Sequence, residues 1–194
     1  FVNTQGPLVV PGDLGPPCFT PGTLIGTPAG EEAVEALEIG HSVLTRDGGA
    51  AAIVWTGCRR VPATGPLAPV RIAAGTLGNR RDLLVSPQHR MLVRGWRAEL
   101  HAGRAEVLVA AVHLVNGTTI VRAPMPEVSY LHFMLARHEI VFAEGAATES
   151  LDPAGDLASQ DREIVRLFPE LGTGHGGATV LPTVRGFEGR ALTA

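Results

Sequence analysis

The chain has 194 residues, 45% hydrophobic and 18% charged, with a formal net charge of -3. That length suits one domain with a substantial core, and the composition is that of an ordinary soluble globular protein. No long basic run is present, which argues against nucleic-acid binding.

All 16 basic residues are arginine, a bias we assign to a GC-rich, bacterial genome. Two cysteines, Cys18 and Cys58, could form one bridge but are too few for a disulfide framework. No stretch approaches the roughly 18 apolar residues of a membrane helix. The opening FVNTQGPLVVPGDLGPP lacks the charged head and continuous apolar run of a signal peptide. The first residue is not Met, so a longer parent chain is expected. The compartment is left undecided, with a secreted or cell-surface setting open.

In chain order, residues 1–17 hold four prolines and three glycines and are expected to form an extended leader. From Thr23 the pattern turns to short β-prone runs. Leu24-Ile25, Val34 to Leu37 and Val43-Leu44-Thr45 come first, with Thr27 to Gly30 as a turn. Asp47-Gly48 reads as a hairpin turn into Ala52-Ile53-Val54-Trp55. Strands are further expected at Val70 to Ala73, Leu83 to Val85 and Met91 to Val93. Glu106 to Leu114, rich in Ala and free of breakers, reads as a short helix. Asn116-Gly117 is a second hairpin signal into Thr119-Ile120-Val121, and the last strands are Val128 to Leu135 and Glu139 to Phe142. So many short runs between turns predict an all-β domain. After Ser150 the spacing of Leu157, Ile164, Val165 and Phe168 predicts a helix, followed by a glycine-rich loop at Thr173 to Ala178 and a short closing element. The expected organisation is a leader (1–17), a β-domain (18–150) and an accessory tail (151–194) with one helix.

Cys18 heads the run CFTPGTLIGTPAG. A lone cysteine is by default a packing residue. Two later stretches give it chemical company: SPQH (Ser86 to His89) and YLHFMLARHEIVFAEG (Tyr130 to Gly145). A thiol with a reference pKa near 8.5 is only a few per cent ionised at neutral pH, so a nucleophilic Cys18 needs help. The seven histidines are His41, His89, His101, His113, His132, His138 and His175. His89 follows a strand and a Ser-Pro kink, so it and Ser86 can reach one peptide bond. His132 and His138 are placed on one hairpin spanning Tyr130 to Phe142, with Glu139 beside the second. Blander readings stay open: Ser-Pro ending a strand, and His-Glu as a solvated pair. Cys18, His89, His132 and His138 also form a conceivable zinc set. No short ligand spacing accompanies them, and neither metal nor cofactor is expected.

CFTPGTLIGTPAGEEAVEALEIGHSVLT resembles the opening of Hint domains, the Hedgehog/intein self-processing fold. SPQH resembles that family's T-x-x-H motif, with Ser86 in the Thr place and His89 as the His. Tyr130 and His138 keep the eight-residue interval of the late intein block. Together with GNRRDLLVSPQHR and LFPEL, the match is to the bacterial Hint-type subfamily. It implies a horseshoe of short strands with pseudo-twofold symmetry. It also implies that Cys18 attacks the Pro17 carbonyl to form a thioester. His89 would protonate the departing nitrogen, Ser86 would hydrogen-bond at the scissile peptide, and His132 or His138 would serve as base. The partner is the chain's own N-terminal flank, with water or another small nucleophile as acceptor.

Three positions depart from the pattern. His41 and Leu131 stand where the family carries Asp, and the Pro17 ring fixes φ and crowds the carbonyl to be attacked. They motivate a second expectation, a module that keeps the fold without the activity. The asparagines are Asn3, Asn79 and Asn116, none near a junction at Ala146 to Ser150, so splicing by asparagine cyclisation is not expected. No segment marks a sterol acceptor.

Overall fold

The structure, a computed structural model, describes residues 17–47, 49–151, 181 and 183–184. The expected leader and tail helix lie outside the described residues, apart from Pro17.

The architecture is all-β, as the turn spacing predicts. The strands are β1 (Leu24–Thr27), β2 (Gly30–Ala33), β3 (Ser42–Thr45), β4 (Gly49–Ala63), β5 (Val70–Ile72), β6 (Leu83–Val85) and β7 (Arg90–Arg94). They continue with β8 (Glu106–Ala110), β9 (Ile120–Arg122), β10 (Met125–Leu135), β11 (Ile140–Ala143), β12 (Ala146–Glu149) and β13 (Thr183–Val184). Among the described residues, the larger sheet runs β10-β4-β3-β11-β12-β7-β8-β13, with β1 and β2 joined through β11. A smaller sheet runs β6-β5-β9. The last strand, β13, lies in the tail and pairs parallel with β8.

Both sheets grip the start of the domain. Phe19 bridges Val85 of β6 on one side and Leu131 of β10 on the other. Its amide donates to the Leu131 carbonyl and the Leu131 amide donates back, each at 2.9 Å. Its ring stacks on Phe133 at 5.6 Å and enters the main core with Ile25, Val85, Met91 and Val109. The cysteine before it is thereby held at the seam between the sheets.

Three local expectations differ from the structure. Glu106–Ala110 is strand β8, not helix. Val107, Leu108 and Val109 are all buried, and a strand covered on both faces shows no alternation to betray it. The only α-helix among the described residues is α1 (Trp96–Ala102), closed by Gly103 in the left-handed region at φ 64°. Val34–Ala36 forms a 3-10 turn. Asn116 makes a side-chain turn: its Oδ1 accepts from the amides of Thr118, Thr119 and Ile120, and no two-stranded hairpin forms there.

The β11–β12 connection sets the position of two buried polar residues on β12. Ala143 pairs with Ala146, leaving Glu144 (φ 52°) and Gly145 (φ 86°) as a two-residue turn with both residues left-handed. Glu144 pays for that conformation with three hydrogen bonds. Its carboxylate accepts from the Leu24 amide at 2.8 Å, from Arg81 Nε at 2.8 Å and from Arg81 Nη2 at 2.7 Å. Burial works to raise its pKa, but those donors and the nearby arginines hold the carboxyl below its usual value. The turn fixes the register of β12, which carries Thr148 and Glu149.

Candidate active site

Cys18, Ser86 and His132 converge on the Pro17–Cys18 peptide, and all four residues are buried. The Cys18 amide donates to Ser86 Oγ at 2.8 Å, and the Ser86 amide donates to the Cys18 carbonyl at 2.9 Å. His132 Nδ1 lies 2.6 Å from the Pro17 carbonyl oxygen, and its Nε2 lies 3.0 Å from Cys18 Sγ. A carbonyl oxygen only accepts, so Nδ1 carries the hydrogen. The neutral ring then presents a bare Nε2, and the thiol donates to it. One imidazole thus contacts both the Pro17 carbonyl oxygen and the Cys18 sulfur.

Burial governs the charge of this ring. It pushes His132 down to about 4, with the Pro17 carbonyl working weakly the other way. His132 is therefore neutral at physiological pH, the state that accepts a thiol proton. Tyr130, two residues earlier on the same face of β10, packs with Cys18, Ala63 and Val128. Its hydroxyl donates to the Leu67 carbonyl at 2.8 Å, and burial, followed by the proximity of Cys18, raises its pKa.

His89 sits behind Phe19, with ring centroids 4.5 Å apart. The His89 amide donates to the Ser86 carbonyl at 3.1 Å, so Ser86 and His89 span one turn as their spacing predicts. The side chain contacts Thr148 Oγ1 through Nε2 at 2.5 Å. Burial, then His132, then Arg90 push its pKa down to about 3, and the Cys18 backbone opposes them weakly. The group bonded to the Cys18 amide is the Ser86 hydroxyl, not His89.

His132 and His138 do not share a hairpin. The first lies on β10, paired with β4 opposite Gly57. The second lies just before β11, which pairs with β12, β1 and β3. His138 Nε2 stands 3.3 Å from Glu149 Oε2, and both side chains are fully buried. Glu149 also accepts from the Arg90 amide at 3.0 Å and from Arg90 Nη1 at 2.9 Å. The carboxylate partner of His138 therefore comes from β12. Glu139, its sequence neighbour, instead exchanges hydrogen bonds with Ser150.

Two other candidates fall elsewhere. The conceivable zinc set does not assemble: among the described residues no three His, Cys, Asp or Glu side chains gather to hold a metal ion. Cys58 is exposed on β4 and both cysteines are free thiols. Sequence reasoning missed Thr148, Glu149 and Arg90. Their signal was present, since Thr148 and Glu149 occupy the junction region and Arg90 follows His89 directly, but no spacing rule links them.

The family model described as a Hint domain matches residues 17–155. Among solved structures, the chain is similar to the solution structure of a bacterial intein-like domain from Clostridium thermocellum. That match has 16% identity and a TM-score of 0.47, covering 68% of this chain and 96% of the other. It is also similar to the MchDnaB-1 intein crystal structure, at 13% identity and a TM-score of 0.46, covering 68% and 98%. No curated protein matches. The class is that of all-β self-processing domains. The chain belongs to the Hint domain family.

Proposed function

We propose that this domain cleaves its own backbone between Pro17 and Cys18 by an N-to-S acyl shift, without splicing. The observation that carries the reading is the double contact of His132, with Pro17 O on one nitrogen and Cys18 Sγ on the other. The thiol proton moves to His132 Nε2 as Sγ attacks the Pro17 carbonyl carbon. The imidazolium that results donates more strongly through Nδ1 to the oxyanion. The C–N bond then breaks, the proton passes from His132 Nε2 to the Cys18 nitrogen, and the Pro17 acyl group is left on sulfur as a thioester. Ser86 holds that nitrogen throughout. Water or another nucleophile finally attacks the thioester. In this scheme residues 1–17 are the acyl side, 18–150 the processing unit and 151–194 an accessory tail.

Splicing has no support at the other end. The strand there ends at Glu149 and is followed by Ser150, not by a His-Asn pair. Asn79 is tied by its amide to the carbonyls of Ile72, Ala73 and Arg81, and Asn116 is spent on its turn.

A second reading, a Hint fold without turnover, draws on the low basicity of His132. Burial holds the His132 imidazole well below its usual basicity, so taking the Cys18 thiol proton is uphill. That cost slows the reaction without forbidding it. Intact-mass measurement of the purified chain with and without dithiothreitol or hydroxylamine separates the two readings. Cleavage at Pro17–Cys18 that is lost in Cys18→Ala supports self-processing. An unchanged mass in both reagents overturns it.

A further inference from the structure

The hydrogen bonds around His89 assign its two ring nitrogens. Thr148 Oγ1 donates to the Arg90 carbonyl at 2.9 Å, which spends its one hydroxyl proton. The same oxygen lies 2.5 Å from His89 Nε2. With the hydroxyl proton already committed, that contact is Nε2–H donating to Oγ1. A neutral imidazole carries a single N–H, so Nδ1 is bare. Nδ1 is buried and makes no hydrogen bond among the described residues.

We propose that Thr148 is a positioning residue that locks His89 in its Nε2–H form, leaving Nδ1 as a proton acceptor beside the processing site. The residue is well placed for this. Thr148 is fully buried on β12, opposite Val141 of β11 and Met91 of β7, so its hydroxyl has little freedom to turn elsewhere. Fixing the tautomer from β12 ties the last strand before Ser150 to the chemistry at Cys18. The consequence for cleavage rests on the self-processing reading above; the tautomer itself does not.

The test is two-bond nitrogen–proton correlation NMR on the uniformly 15N-labelled full chain, with Cys18→Ala used to keep it uncleaved. The expected spectrum shows His89 with the hydrogen on Nε2. Thr148→Val should shift the tautomer ratio toward Nδ1–H by about fivefold or more, the worth of one hydrogen bond. Thr148→Ser should restore it. In the chain with Cys18 intact, hydroxylamine cleavage should slow in Thr148→Val by a similar factor. An Nδ1–H spectrum in the unsubstituted Thr148 background overturns the proposal, and that measurement needs no Thr148 variant to fold. An unchanged ratio in a folded Thr148→Val also overturns it. If the chain never cleaves, the self-processing reading fails while the tautomer is still decided.

Discussion

Ser86 and Cys18 exchange hydrogen bonds in both directions: the Cys18 amide donates to Ser86 Oγ at 2.8 Å and the Ser86 amide donates to the Cys18 carbonyl at 2.9 Å. The nitrogen that would leave in the proposed cleavage is therefore held by a hydroxyl in the resting structure. Ser86→Ala strands a buried N–H and is expected to cost about 1–3 kcal/mol of stability. Chemical denaturation should show that loss, and mass-resolved cleavage should slow by roughly tenfold or more.

His132→Gln retains a polar side chain but removes the base. Cleavage in hydroxylamine should fall by about 100-fold or more, the range for a lost general base. A rate within a factor of two of the parent would move the proton transfer to another group.

Acid sensitivity follows from the buried imidazoles. His132 and His89 are held near 4 and near 3 in the folded chain, against about 6.5 when unfolded. The unfolded chain therefore binds protons first as pH falls. The stability these rings contribute is complete above about pH 6.5 and is lost progressively down through pH 4 and then 3. The denaturant midpoint should drop between pH 7.5 and pH 4.5. The drop should be smaller in His132→Gln, and a pH-independent midpoint in the parent chain would contradict the assignment.

Glu149 is fully buried between Arg90 and His138. Glu149→Ala leaves the Arg90 charge without its carboxylate and is expected to cost about 3–5 kcal/mol. Thermal or chemical unfolding measures it directly. A loss under 1 kcal/mol would mean that solvent reaches Arg90 easily and replaces the pair.

The residues gathered around the Pro17–Cys18 peptide were legible because local patterns mark them. Cys18 heads a run, Ser86 and His89 need one turn, and His132 shares a face with Tyr130 through strand alternation. Their support was not legible, because it crosses the fold. Thr148 and Glu149 meet His89 and His138 only when β12 pairs with β7 and β11, and no local interval encodes that. The misread hairpin has the same origin. β10 and β11 adjoin in sequence but pair with different strands, since the loop between them carries the chain from the edge of the larger sheet, beside β4, to its interior, beside β3 and β12. The error at β8 came from counting Ala over the buried Val-Leu-Val that decides a covered strand.

The double bridge at Phe19 bears on what happens after the bond breaks. Residue 19 is stitched to β6 and β10 by interactions that the cleavage leaves untouched. In the proposed cleavage, the freed amine of Cys18 would therefore stay moored next to the sulfur that carries the acyl group, and could take it back. Forward progress is a race between that recapture and an incoming nucleophile. On the proposed mechanism the yield would be set by how readily solvent or an acceptor reaches a carbonyl that lies buried behind His132.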